Sequence, residues 1–251
     1  MFVPPSSPAA PSVPATASSF WRQDVFDLVA LSCILFVVLT AVAMLLYPGG
    51  VYTDPGSQGY RFFENYLSDL GQISTISGAL NLPSMLFWII ALVGVALGLA
   101  AFFLAFTQFF TASPLALWLS RSAALAGAIT CVSFIGIAAT PKHLGYQILA
   151  EHIAFELVAF FSFLLAVVLE IAALRVLERS TPLPRRFLWV FAGFVAALLV
   201  YITVVFLGPD DTTLAGEIIQ ATAQKVIVIA ALVTIFAQSI QARRWTSPPK
   251  E

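Results

Sequence analysis

Six long runs of apolar residues, separated by short polar breaks, dominate the sequence. Each run is long enough for a helix that crosses a hydrocarbon core of about 30 Å, which takes roughly 20 residues. Within the runs the apolar positions are continuous rather than alternating, which disfavours a transmembrane β-barrel. The pattern therefore predicts an all-α polytopic membrane protein, a bundle of six transmembrane helices. We place these helices at about 25–47, 83–108, 114–139, 147–175, 187–207 and 214–241.

The flanks of these runs set the domain organisation. Residues 1–20 are mostly Pro, Ser and Ala, a composition that cannot bury enough surface to order the chain, so we expect a disordered tail. A single six-helix membrane domain follows at 21–245, and 246–251 form a short C-terminal tail. The longest connection between helices, residues 48–82, lies between the first and the second.

Composition and charge narrow the class of protein further. The chain is 60% hydrophobic and 10% charged, against about 25% charged residues in an average soluble domain. The net charge of −1 provides no basic field, so we expect no nucleic-acid partner. Cys33 and Cys131 both fall inside apolar runs, where small packing residues are more usual than a disulfide.

The distribution of Lys and Arg predicts the orientation of the bundle. With the N-terminus inside, the inner side carries Arg22, Arg121, Arg175, Arg179, Arg185, Arg186, Arg243, Arg244 and Lys250. The outer side carries only Arg61, Lys142 and Lys225. We therefore predict a multi-pass protein of the inner (plasma) membrane with both termini cytoplasmic and residues 48–82 outside.

Polar residues inside the predicted helices cluster toward the outer side. Ionisable groups near the centre of a membrane cost roughly 2.5–3.5 kcal/mol each on insertion scales, so their positions are informative. His152 and Glu156 are four residues apart and share a face of the fourth helix. The sixth helix carries Glu217, Gln220 and Gln224 on one stripe, next to Lys225.

A mixed polar and aromatic segment, RFFENYLSDLGQ at 61–72, enters from the same outer side. We call residues 61–72 the lid. We expect the lid to fold over a cleft between the fourth and sixth helices, with its aromatic side chains in the membrane interface. Its polar side chains would then meet His152, Glu156 and Lys225.

A purely structural role for these residues is the alternative. Glu156 and Lys225 could form a buried ion pair that fixes the helix register, and His152 could donate to a carbonyl. Glu170, nearly four turns beyond Glu156, is expected to pair with Arg121 or Arg175 near the inner surface.

Catalytic patterns are mostly incomplete. The chain has only two histidines, His143 and His152, which excludes a three-histidine zinc site. Together with Asp69 or Glu156 they could in principle hold a metal, but His143 lies in a loop, and we predict no metal and no cofactor. Ser68, His152 and Glu156 are the right residue types for a nucleophile, a base and its orienting group. No nucleophile-elbow glycine pattern surrounds Ser68.

Several short motifs resemble a known membrane family. NYLSDLG at 65–71 followed by NLPSMLFWIIALVGVALGL at 81–99, TPKHLGYQILAEHIAF at 140–155 and GEIIQATAQKVIVIA at 216–230 are similar to the family called domain of unknown function 998. More distantly the chain resembles the Frag/DRAM/Sfk group, which shares a six-helix layout and a Ser-Asp-x-Gly element. The resemblance implies functional positions at Ser68, Asp69, Gly71, Asn81, His152, Gln224 and Lys225. It implies no known reaction. Where the family has an acidic residue after the proline turn, this chain has Lys142 and His143.

The leading hypothesis is a non-enzymatic membrane protein that binds a lipid or a partner subunit through the outer cleft. A lipid-modifying hydrolase or transferase is the second hypothesis, with His152 as base, Asp69 or Glu156 as its orienting group and Lys225 holding a phosphate. A structural accessory subunit of a larger membrane complex is the third. The predicted ligand-binding residues are Glu64, Asn65, Ser68, Asp69, Asn81, His152, Glu156, Gln224 and Lys225.

Overall fold

The computed structural model describes residues 20–142, 146–179 and 185–246, apart from the side chains of Arg22 and Tyr146. The two predicted tails, except for residues 20 and 246, and His143 lie outside these described residues.

The described residues form six long helices, as the sequence predicts, and all six are long and apolar enough to cross a membrane. Their ends fall close to the predicted ones, but the fourth and sixth helices, each of 33 residues, continue past their apolar runs. They do so because the residues after each run, RVLE and QARR, are mostly good helix formers. The helices are α1 Val25–Leu46, α2 Leu82–Phe106, α3 Pro114–Ala139, α4 Tyr146–Glu178, α5 Arg186–Leu207 and α6 Leu214–Thr246.

The helices pack as a closed ring in chain order. Each helix contacts the one before and the one after it, and α6 returns to contact α1. Close approach is possible where small residues meet large ones: a side chain at Gly127 in α3 would collide with Phe103 of α2. In the same way Gly98 of α2 lies against Ser32 of α1. The ring leaves a space at its centre, which residues of α4 and α6 line together with residues of α1, α2, α3 and the lid.

One end of the bundle, which we call the terminal end, brings together both ends of the six-helix domain. The amide of Gln23 donates to the carbonyl of Thr246 at 3.1 Å, and Gln108 donates to the carbonyl of Trp21 at 2.9 Å. Trp245 stacks on Phe109 with 5.2 Å between ring centroids. Stacked aromatic rings therefore close the core at this end.

The opposite end, which we call the lid end, holds the long connection between α1 and α2. This connection contains an antiparallel hairpin, β1 Gly49–Val51 and β2 Asp54–Gln58, and a 3₁₀ turn at Leu67–Gly71 inside the lid. The hairpin was not predicted. Its strands are short, rich in Gly and Pro, and without alternation, and the hairpin turn is held instead by Glu217 of α6.

The outward faces of the helices are apolar and exposed. Leu45, Val132 and Trp189 expose 86%, 64% and 72% of their surface. In water such a surface would be an aggregation hazard, whereas in lipid it is the surface expected of a membrane helix.

The predicted partner of Glu170 is wrong. Glu170 is fully buried and accepts a hydrogen bond from Ser120 of α3 at 2.8 Å, whereas Arg175 pairs with Glu178 at 3.1 Å. The reason is helical geometry: Glu170 faces α3 in the bundle interior, while Arg175 and Arg121 lie on the surface.

Candidate functional site

Asn65 anchors the lid from inside. It has no exposed surface, and its side-chain amide donates to the carbonyl of Gly50 at 2.8 Å. Its side-chain oxygen accepts from the main-chain N–H of Arg61 at 2.9 Å. Its main-chain carbonyl accepts a hydrogen bond from the ammonium of Lys225 in α6. Asn65 therefore joins the hairpin, the lid and α6.

Asp69 stabilises the lid by accepting hydrogen bonds from other lid residues. Its carboxylate accepts from the main-chain N–H of Tyr66 at 2.8 Å and from the side chains of Asn65 and Gln72 at 3.3 and 3.1 Å. Burial raises the pKa of the Asp69 carboxyl above its ordinary value, against the opposing effects of Lys142 and of the hydrogen bond from Asn65. The side chain is 1% exposed, so every group it meets belongs to the protein.

Two further positions that the resemblance implies, Gly71 in the lid and Asn81 just before α2, support the shape of the lid. Asn81 is fully buried and donates to the carbonyls of Leu70 and Gln72, which ties the lid to the start of α2. Gly71 lies against Trp88, and a side chain there would approach the indole to 2.7 Å. These residues hold the shape of the lid.

Ser68 differs from its neighbours in the lid. It is 6% exposed, and its hydroxyl has no hydrogen-bond partner. It belongs to the wall of a cavity at the centre of the helix ring. A buried hydroxyl without a partner costs roughly 1–3 kcal/mol, so its position calls for a physical explanation.

His152 lies in the first turns of α4 and is 2% exposed. Its Nδ1 is 2.7 Å from the carbonyl oxygen of Thr140. Since a carbonyl can only accept, Nδ1 carries the proton in the neutral ring, and Nε2 is then a bare acceptor. Nε2 has no partner, and His152 is part of the same cavity wall as Ser68.

Glu156 and Gln224 connect α4, α6 and the lid. The Gln224 side chain accepts from the main-chain N–H of Leu67 at 2.8 Å and donates to Glu156 at 3.2 Å. Glu156 also accepts from the hydroxyl of Tyr201 in α5 at 3.4 Å. This chain of hydrogen bonds closes the cavity toward the lid.

Lys225 does not form the ion pair with Glu156 that the structural alternative suggests. Its ammonium, on a residue 3% exposed, donates to the main-chain carbonyls of Asn65 and Ala221. It also lies 5.4 Å from the ring centroid of Phe62, whose side chain is 47% exposed on the outer face of the lid. Lys225 therefore directs two of its N–H groups at main-chain carbonyls under the lid, and it is not among the residues that line the central cavity.

The central cavity is polar at one end only. It has a volume of about 90 Å³, and its polar wall residues are Ser68, His152, Glu156 and Gln224, all at the lid end. Below them the wall is apolar and reaches Phe163 of α4 and residues of α1, α2, α3 and α6. Eleven residues separate His152 from Phe163, which corresponds to roughly 16 Å along the helix. The cavity is a narrow slot with a polar head.

A larger cleft of about 690 Å³ lies beside the slot, between α4 and α5. Glu156 and Phe160 belong to the walls of both spaces, so they separate the cleft from the slot. Tyr52 and Tyr66 line the mouth of the cleft. Burial raises the pKa of Tyr52 to about 12 and also raises the pKa of Tyr66, so both hydroxyls keep their protons at neutral pH.

The structure divides the predicted site residues into three groups. Ser68, His152, Glu156 and Gln224 line the slot. Four others hold the lid in place or support it: Asn65, Asp69, Asn81 and Lys225. Glu64 forms the third group by itself, in a partly exposed ion pair with Arg61 at 3.0 Å.

Sequence reasoning missed three contributors to the site. Thr140, the last residue before Pro141, sets the tautomer of His152, and the hydroxyl of Tyr201 in α5 donates to Glu156. Glu217 was part of the predicted stripe but was given no role, and it accepts from the main-chain N–H groups of Tyr52 and Thr53. Only the position of Thr140 before a helix-ending proline was a usable signal.

The chemistry available at the slot is hydrogen bonding at the end of an apolar space. Neither Asp69 nor Glu156 accepts a hydrogen bond from the ring of His152, so the predicted orienting carboxylate is replaced by the Thr140 carbonyl. Within the described ranges no three His, Cys, Asp or Glu side chains are grouped as metal ligands.

The chain matches no family model, no curated protein and no solved structure, so the resemblance to the family called domain of unknown function 998 stays a prediction.

Proposed function

We propose that this chain is an integral membrane protein that binds a lipid through the space beneath its lid. One observation supports this above the others: two buried polar groups without partners, on Ser68 and His152, lie at the polar head of an otherwise apolar slot. A lipid has the same division into a polar head and an apolar chain. The neighbouring cleft between α4 and α5 offers a route from the side of the bundle.

The proposed orientation follows the basic residues. We place the terminal end in the cytoplasm, since nine of the twelve Lys and Arg residues fall on that side by sequence. The lid end then faces outward, and the site lies in the outer leaflet of the inner (plasma) membrane.

The test is a gentle purification from native membranes in a mild detergent, followed by mass spectrometry of the retained lipids and proteins. We expect a lipid class enriched over the bulk membrane in the wild type and in Glu64→Gln, a surface control in the same lid. Ser68→Ala and His152→Ala should lose this enrichment while keeping a cooperative thermal transition. The same lipids on all four folded proteins would refute lipid binding at this site. A second chain at fixed stoichiometry, with no enriched lipid, would favour the accessory-subunit hypothesis.

Catalysis is the second candidate function, and the tautomer of His152 is the observation that favours it. An unprotonated Nε2 in the cavity that Ser68 also lines is the arrangement a general base needs. The measurement is release of product from labelled phospholipids by the purified protein. Turnover that His152→Ala abolishes and Glu64→Gln leaves intact would establish a hydrolase or transferase, and no turnover above the His152→Ala level would exclude it.

A further inference from the structure

The polar head of the slot specifies which hydrogen-bonding group a ligand must present. His152 Nε2 can only accept, because Nδ1 holds the proton that it donates to Thr140. The Ser68 hydroxyl can both donate and accept, and it has no partner in the protein. The amide of Gln224 is already engaged at both ends, by Leu67 and by Glu156. The slot therefore requires a ligand group that donates a hydrogen bond to His152, and a hydroxyl meets this requirement while also accepting from Ser68.

The charge of the slot excludes an anionic head group. Among the described residues that line the slot, Glu156 is the only acidic one and none is Lys or Arg. Lys225 donates to main-chain carbonyls instead. A buried phosphate or carboxylate would have no positive partner and would face both Glu156 and the lone pair of His152, which is strongly unfavourable in a space of low polarity.

The dimensions of the slot limit the apolar part of the ligand. A volume of about 90 Å³ spread over roughly 16 Å of helix describes a thin channel rather than a chamber. Several waters would fit, since one water needs only about 10–15 Å³, but the apolar lower wall offers them no hydrogen-bond partners. A single unbranched hydrocarbon chain matches such a channel.

We propose that the slot binds a single-chain lipid with a free hydroxyl as its polar end, such as a long-chain alcohol or a monoacylglycerol. This inference rests on the proposed function and narrows it to one class of ligand. The ligand hydroxyl donates to His152 Nε2 and accepts from Ser68, and its chain runs down between α4 and α6. It enters sideways from the cleft between α4 and α5, past Glu156 and Phe160, which separate the two spaces.

Photolabelling tests this proposal directly. The full chain is reconstituted into phosphatidylcholine nanodiscs with hexadecanol that carries a diazirine on its chain, and labelled peptides are mapped by mass spectrometry. Hexadecyl phosphate with the same photoreactive chain serves as the anionic probe. We expect the alcohol to label residues 160–163 and 228–235 at least tenfold more than the phosphate does, and an excess of plain hexadecanol to compete.

Variants separate the slot from the lipid-facing surface. Ser68→Ala removes one hydrogen bond and should lower slot labelling about tenfold. Ala231→Phe fills the slot, since Ala231 lines it, and should abolish labelling without changing the polar head. Val233→Phe places the same phenyl side chain on a residue that is 59% exposed, and it should leave labelling unchanged. Ala231→Phe remains a complete test of the slot if Ser68→Ala does not fold.

The outcomes distinguish this inference from the proposed function. Slot labelling that favours hexadecyl phosphate and is lost in Ala231→Phe would overturn the hydroxyl class but leave lipid binding standing. Labelling that Ala231→Phe does not change would overturn the slot as the site. If neither probe labels the slot while the purified protein still retains an enriched lipid, only the inference fails; if no lipid is enriched either, both fail.

Discussion

Replacing Asn65 tests whether the lid is held together by its polar interior. The Asn65 side chain makes three hydrogen bonds: it donates to Gly50 at 2.8 Å and to Asp69 at 3.3 Å, and it accepts from Arg61 at 2.9 Å. Asn65→Ala removes all three and leaves their partners buried or half-buried. No water can reach the position without the lid opening, because Asn65 has no exposed surface.

The size of the effect follows from these contacts. Each hydrogen bond contributes about 1 kcal/mol net, so Asn65→Ala should lower the free energy of unfolding by about 3 kcal/mol. For a chain of this length, 1 kcal/mol corresponds to about 2–4 °C in melting temperature, so we expect a decrease of about 6–12 °C. Amide hydrogens of residues 66–72 should exchange faster, since the lid loses its contact with the hairpin.

The neighbouring residue supplies the control. Glu64 pairs with Arg61 at the surface, where ion pairs contribute at most about 1 kcal/mol, so Glu64→Gln should shift the melting temperature only slightly. Thermal unfolding of both variants in the same detergent, followed by tryptophan fluorescence, measures the difference. Equal melting temperatures for Asn65→Ala and Glu64→Gln would refute the view that Asn65 is the structural centre of the lid.

Three further changes probe the same end of the bundle. Gly71→Ala should cost about 1–3 kcal/mol, because the new methyl group collides with the buried indole of Trp88; an unchanged unfolding midpoint in denaturant would contradict this. Glu217→Ala should destabilise the hairpin by about 2 kcal/mol, because the hydrogen bonds from Tyr52 and Thr53 are lost. We expect faster amide hydrogen exchange at residues 49–58, and exchange as slow as in the wild type would contradict this prediction. Burial raises the pKa of the Asp69 carboxyl, so the folded state favours its protonated form. The free energy of unfolding of the wild type should therefore fall, relative to that of Asp69→Asn, as the pH rises from about 4 through the raised pKa. If the melting temperatures of the two proteins change in parallel from pH 4 to 8, this carboxyl does not titrate as inferred.

The six-helix fold could be predicted from the sequence, because helices that can cross a membrane need long uninterrupted apolar runs, and the sequence contains six of them. The hairpin could not be predicted in this way. Its second strand, DPGSQ, has little intrinsic preference for extended structure, and its turn is held by Glu217, which is more than 160 residues away in the chain. Such a contact exists only after α6 has packed beside the lid.

For the candidate site, the sequence predicts which end of the bundle holds the polar residues but not the contacts that they make. The polar residues of α4, α6 and the lid could be assigned to one end of the bundle, because successive membrane helices alternate in direction. The sequence does not show which of these side chains make the hydrogen bonds that hold the lid in place. Asn65 and Asp69 satisfy each other and nearby main-chain groups, whereas Ser68, between them in the chain, is left without a partner. That distinction depends on the turn at Leu67–Gly71, which only the folded chain defines.

The energetic cost of the two unpartnered groups in the slot supports the proposal that a ligand binds there. Two buried groups without partners, at roughly 1–3 kcal/mol each, are a large fraction of the stability of a typical domain. Other unpartnered atoms in the described residues include the side-chain oxygens of Gln72 and Asn81, the hydroxyls of Thr40, Ser57 and Thr222 and one carboxylate oxygen of Glu170, and none of these residues lines the slot. Ser68 and His152 instead share one cavity, so a single ligand can satisfy both. Ser68→Ala should therefore stabilise the empty protein while weakening the ligand complex, and thermal unfolding with and without added hexadecanol would separate the two effects.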